Sequence, residues 1–211
     1  RIPVMAGTVT ISVEVELGWG YHDIDSETRY ASLSERRAAE TETLERFINV
    51  LDKHDIPISF DVVGHLFLES CSGDHAGPHP DGWFDSDPAT DVERDPLFYA
   101  PDLVGTIEDA EVDHEICTHT FSHVLCDEIS DETLRAELTA AQQLHRDRLG
   151  EETVSLVTPR HREPSKSVLD DSEIEIIRVP VNDLPDGRLA RLYWYLFGQH
   201  PVVDPTEDGG I

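Results

Sequence analysis

Residues 8–17 (TVTISVEVEL) alternate β-branched or apolar positions with polar ones, the period-2 pattern of a half-buried strand, and its polar end carries Glu14 and Glu16. Gly18 to Asp23 (GWGYHD) then read as a loop. Over 34–53 the period changes, with Leu44, Phe47, Ile48 and Leu51 at i, i+3, i+4 and i+7, which predicts an amphipathic helix. Residues 56–63 predict a second strand. Further on, 101–110 read as a short helix and 114–118 as a strand running into His119 and His123. Ser130 is placed to cap a helix that carries Leu134, Leu138, Ala141 and Leu149 and stops at Gly150. Strands are expected at 154–158 and 174–179, and an aromatic-rich helix at 188–197. Residues 70–96, rich in Gly, Pro, Asp and His with no sustained period, are expected to form an irregular insertion over one face.

Strands alternating with helices predict an α/β fold with a parallel sheet, open or closed into a barrel, in one domain covering 1–211. Either architecture puts its site at the carboxyl ends of the strands. The Glu14/Glu16 pair, the His119/His123 pair and Pro159-Arg160-His161 each fall where a predicted strand runs out.

Charge narrows the partners. Across 211 residues, 16 Lys and Arg stand against 44 Asp and Glu, a formal charge of −28, which argues against nucleic acid and anionic lipid. No apolar run is long enough to span a bilayer. Lys53 and Lys166 are the only lysines, and a Lys-poor, acid-rich chain resembles proteins of extreme halophiles, whose carboxylates stay hydrated where molar salt screens their repulsion. An acidic mesophilic protein fits the same counts. Cys71, Cys117 and Cys126 lack CxxC spacing, so neither a disulfide framework nor a thiolate zinc site is expected. No secretory leader is visible after Arg1, and a cytoplasmic location is expected.

Two imidazoles four residues apart, His119 and His123, can reach one metal ion from a helical turn, though a polar turn explains them too. Glu14 and Glu16 share a strand face. Two close carboxylates need a neutralising partner, and a divalent ion would let one ligate while the other serves as base. A solvated strand end is the alternative. Arg160 could orient a buried carboxylate or lie at the surface, and Trp19, Trp83, Phe84 and Tyr99 could stack on a sugar or plug loops onto the core.

From about Val9 to Pro180 the chain resembles the polysaccharide deacetylases of carbohydrate esterase family 4. His114 to His123 (HEICTHTFSH) is similar to that family's strand followed by H-x-x-x-H, and Ile58 to Gly64 (ISFDVVG) to the strand before it. Thr10 to Gly20 (TISVEVELGWG) resembles its acidic first motif in a D-x-E variant. Asp95 to Val104 and Val157 to His161 resemble segments of a subgroup acting on cell-surface or exported polysaccharides.

The resemblance implies a distorted (β/α) barrel and a metal-dependent hydrolase that removes acetyl groups from a polysaccharide or glycan precursor. It implies that Glu16, His119 and His123 hold a divalent metal, most readily zinc, that Glu14 is the base, and that Arg160 orients Glu14. Trp19, Tyr99 and His161 are then expected to meet the carbohydrate. Glu14 stands where the family usually has aspartate. The family's closing histidine motif has no match, since His200 lies in Gly198-Gln199-His200-Pro201. That favours a barrel incomplete at its C-terminus, with His22 or His161 as substitute acid, or loss of turnover, as alternatives. Hydrolysis of a non-sugar linear or cyclic amide, and a degenerate barrel that only binds glycan, are the competing functional readings.

Overall fold

In a computed structural model, residues 9–24, 27–75 and 77–178 are described, together with Arg188, Leu189, Leu192 and Leu196. Most of the helix expected at 188–197, and His200, lie outside them. Five short strands, β1 (Ser12–Val15), β2 (Ser59–Val62), β3 (Glu115–Thr118), β4 (Ser155–Val157) and β5 (Ile176–Arg178), form one sheet in chain order with every pairing parallel. Between them run α1 (Ala38–His54), α2 (Pro101–Glu108), α3 (Asp131–Leu149) and α4 (Lys166–Asp170). A parallel sheet wound in strict chain order by crossovers of one hand places its helices on one face, and its twist curls the other face inward. The result is a curled half-barrel.

The outer face supplies the core. Phe60 and Val62 of β2 join Leu44, Ile48 and Leu51 of α1 and Leu103, Val104 and Ile107 of α2. Leu156 of β4 joins Leu134 and Leu138 of α3 and Val168 and Leu169 of α4. Helix α3 follows its sequence signals: the Ser130 hydroxyl accepts the Thr133 N–H at 3.1 Å, and Gly150 ends the helix at φ +83°.

The inner face is polar. Register sets Ser12 beside Ser59 and Glu115, and Glu14 beside Asp61 and Cys117. Ser59 and Ser155 hydroxyls grip opposite oxygens of Glu115, and Arg178 donates to Ser59 at 2.6 Å. Asp61 is fully buried, neither oxygen meets a hydrogen-bond partner among the described residues, and the Arg178 guanidinium comes no nearer than 3.9 Å. Burial pushes its carboxyl up to about 6, against the pull of Arg178. A carboxyl raised above its unfolded value stabilises the fold below pH 4 and loses that contribution as pH climbs through 6. Asp61→Asn is therefore expected to raise the unfolding free energy at pH 8 by up to about 3 kcal/mol and to change it little at pH 4. Denaturant unfolding at the two pH values checks this.

The 70–96 segment is an insertion closed by a narrow neck. Ser70 and Asp91 form an antiparallel bridge, the Cys71 N–H donates to Thr90 O at 3.0 Å, and the Val92 N–H to Glu69 O at 2.9 Å. No helix of the described residues is long and apolar enough to cross a membrane.

Candidate functional site

Glu16, His119 and His123 converge just past the carboxyl ends of β1 and β3. Glu16 Oε1 lies 3.0 Å from His119 Nε2 and 3.1 Å from His123 Nε2. Both imidazoles are buried, whereas the Glu16 side chain keeps 24% of its exposure, so the group opens on one side. His119 Nδ1 lies 2.8 Å from the Val157 carbonyl, and an acceptor-only oxygen there requires the proton on Nδ1. That leaves the Nε2 lone pair aimed at a carboxylate, an arrangement that needs a proton or a cation between the groups. Burial opposes ionisation of Glu16, but the hydrogen bonds and charges of His119 and His123 outweigh it and hold the carboxyl well below the usual carboxylate range. The three donors fit a divalent ion with one coordination position left for water or substrate.

Local backbone builds this convergence. A Cβ on Gly20 would collide with the Glu16 carboxylate, so the glycine makes room for it. The His119–His123 stretch is not helical, contrary to the helical turn expected from the spacing. Thr120 and His123 both adopt left-handed φ of +61°, which a side chain resists by about 1–3 kcal/mol. Neighbours fix the turn: the Gly64 and His65 N–H groups donate to Thr120 O and Phe121 O, both at 2.8 Å. Fully buried Glu137 of α3 accepts the Ser122 N–H at 2.7 Å and its hydroxyl at 2.6 Å. Two side chains of the insertion complete the brace, Trp83 Nε1 donating to Ser122 Oγ at 2.8 Å and His79 Nε2 lying 2.7 Å from Glu137.

The family profile for polysaccharide deacetylase matches residues 34–174, well over half of the chain. The chain belongs to the polysaccharide deacetylase family. The matched span contains His119, His123 and Arg160 but begins after Glu14 and Glu16.

Among solved structures, a polysaccharide deacetylase described as putative from Mycobacterium smegmatis aligns at TM-score 0.53 and 16% identity, over 80% of this chain and 49% of its own. A CE4 family pseudoenzyme from Bacillus anthracis aligns at 0.47 and 16%, over 80% and 41%. Peptidoglycan deacetylase PdaC from Bacillus subtilis aligns at 0.42 and 13%, over 65% and 50%. This deacetylase-family chain thus spans about half the length of these structures or less, and the first likeness supports the shared fold. Comparison with the curated proteins gives no match.

Several expected site residues sit elsewhere than the sequence suggested. Arg160 does not reach Glu14; it grips Asp23 through two bonds of 3.0 and 2.7 Å and donates to Gly20 O, because the bend after β4 turns it toward the loop after β1. Trp19 is 0% exposed, its indole donating to Phe98 O and packing on His65 and Phe98, so it plugs the loop onto the core instead of facing a sugar. Tyr99 is likewise 0% exposed, its hydroxyl donating to Asp87. His161 is half exposed, with Nε2 4.0 Å from Glu14 Oε1, and remains accessible from the open side. His22 is buried, with Nδ1 2.6 Å from Trp19 O, and burial depresses its basicity.

A groove of about 440 Å³ adjoins Glu14 and Glu16 and runs past Leu33, Thr43 and Phe47. A larger cavity of about 590 Å³, lined by Asp113, Glu152 and Val154, lies at the amino ends of β3 and β4, away from these groups. Reasoning from sequence missed Glu137 and Asp23. Asp23 closes the loop after the acidic strand and could have been paired with Arg160, whereas Glu137 looks like any helix-surface acid until α3 is packed.

Proposed function

We propose that the chain is a metal-dependent hydrolase that removes N-acetyl or O-acetyl groups from a polysaccharide or glycan precursor. The convergence of one carboxylate oxygen and two imidazole nitrogens within about 3 Å on an open side carries the reading. Family membership supports hydrolysis of a carbon–nitrogen bond and a carbohydrate substrate.

A bound divalent ion, most readily zinc, would acidify water and polarise the acetyl carbonyl. Glu16, His119 and His123 would hold it, with the Val157 carbonyl fixing the His119 tautomer. Glu14, in β1 two residues before Glu16, would take the proton from the attacking water. Arg160 acts through Asp23 and Gly20, bracing the loop that leaves room for the Glu16 carboxylate. His161, beside Glu14 and open to solvent, is placed to return a proton to the leaving amine; the buried, hard-to-protonate His22 suits that task less well.

Hydrolysis of N-acetylglucosamine oligomers and of simple linear and cyclic amides, compared in molar KCl with the zinc-loaded protein, tests the substrate class. Acetate release from the oligomers is expected. Turnover of the amides alone, or binding of oligomers without acetate release, would contradict it. The charge of −28 supports a salt-adapted protein, and the melting temperature is expected to rise with KCl up to molar concentration. A flat or falling melting curve would contradict that adaptation.

A further inference from the structure

A second cluster of metal-type donors joins the insertion to the turn after β2 and shares no residue with the Glu16 group. His65 sits in the turn after β2 and is fully buried; its Nδ1 lies 3.1 Å from the Phe98 carbonyl, which places the proton there. Its Nε2 is buried without a hydrogen-bond partner and faces Asp87 Oδ2 at 3.6 Å. Asp87 is anchored through its other oxygen, which accepts the Tyr99 hydroxyl at 2.7 Å and the Ala89 N–H at 3.0 Å. Oδ2 is left facing inward, 2.6 Å from His75 Nε2. His75 in turn lies 3.4 Å from Cys71 Sγ, and its ring stacks on Phe84 at 4.0 Å.

The four donor atoms all lie within 4.8 Å of one another. Tetrahedral zinc with Zn–N near 2.1 Å and Zn–S near 2.3 Å requires donor separations of about 3.3–3.7 Å, so small side-chain adjustments suffice. Without a cation, the buried His65 Nε2 lone pair faces a carboxylate oxygen with no proton between them. Sulfur and imidazole donors favour zinc over magnesium or calcium.

We propose that His65, Cys71, His75 and Asp87 hold a structural zinc ion that ties the insertion to the turn after β2. Four protein donors close the coordination sphere, which leaves no position for substrate. The purpose follows from what the insertion carries. Phe84, Val92 and Trp83 pack against the core, and the ion would add a polar anchor that holds Trp83 on Ser122 and His79 on Glu137. Through those contacts the ion would fix the His119–His123 turn. One cysteine, two histidines and an aspartate make this set, which needs no CxxC spacing.

The test uses the full chain loaded with zinc or cobalt. Wild type is expected to bind about two equivalents of zinc, and Cys71→Ser and the double variant His119→Ala/His123→Ala about one each. Cobalt should give a thiolate-to-metal charge-transfer band in wild type and in the double variant, but not in Cys71→Ser. Limited proteolysis should cut the insertion faster after chelation. A double variant that binds cobalt without a thiolate band, or binds none, overturns the proposal, whether or not Cys71→Ser folds. Absence of acetate release from zinc-loaded wild type whose cobalt form shows the thiolate band would count against the deacetylase reading and leave this site standing.

Discussion

Glu14→Gln is expected to lower acetate release by ~10²–10⁴-fold while metal content and melting temperature stay close to wild type. The amide keeps the size of the carboxylate but cannot accept a proton from water, so the loss falls on the chemical step and appears in kcat. Glu14 is partly exposed at its strand end, in contact with the open side through His161, so neutralising it removes no buried ion pair. This separates base from ligand: Glu16→Gln should lose metal and activity together, because Glu16 is the oxygen both imidazoles face. Steady-state acetate release together with metal analysis of both variants checks the distinction. Equal loss of metal in the two would show that Glu14 is a ligand and not the base.

The second large effect is expected from His119→Ala. The variant removes the imidazole that links Val157 O to Glu16, and should lose one equivalent of metal and reduce acetate release to background. His123 and Glu16 alone leave two donors, too few for a stable zinc site. Folding should survive, since β3 pairs through its own backbone and the following turn is held from outside by Gly64, His65 and Glu137. Metal analysis and thermal melting of the variant test both statements. Retention of the full metal content would move the metal elsewhere.

Local patterns in the sequence carried most of the fold. Helix α3 follows from Ser130, the spacing of its leucines and Gly150, because capping and amphipathicity act within a few residues. The same holds for α1 and for the five strands, each within a few residues of its expected span. The residue pattern alone left closure open, since it depends on crossovers that no local window contains, and the family resemblance supplied the incomplete distorted barrel that the five parallel strands form. The geometry of the proposed metal ligands was half legible. The positions of Glu16, His119 and His123 were marked by strand ends, but the left-handed turn that joins the histidines depends on Glu137, Trp83 and Gly64, distant in sequence.

Aromatic residues misled for a related reason. Trp19 and Tyr99 sit in loops, and loops usually face solvent, yet here the loops fold back over buried His65, and the rings become core. Arg160 followed the same logic: its position after β4 was legible, whereas its partner depended on where the loop after β1 placed Asp23. The polar inner face was the least legible feature. Asp61 lies in a strand whose every residue is buried, and only the register beside Glu14 and Cys117 reveals that it points away from the helices.

A divalent ion held by Glu16, His119 and His123 should be required for deacetylation. Acetate release from N-acetylglucosamine oligomers should be measured in molar KCl on metal-stripped protein, before and after stepwise addition of zinc. Stripped protein should release no acetate, and zinc addition should restore release in wild type but not in His119→Ala. Acetate release that persists in the stripped protein would contradict it.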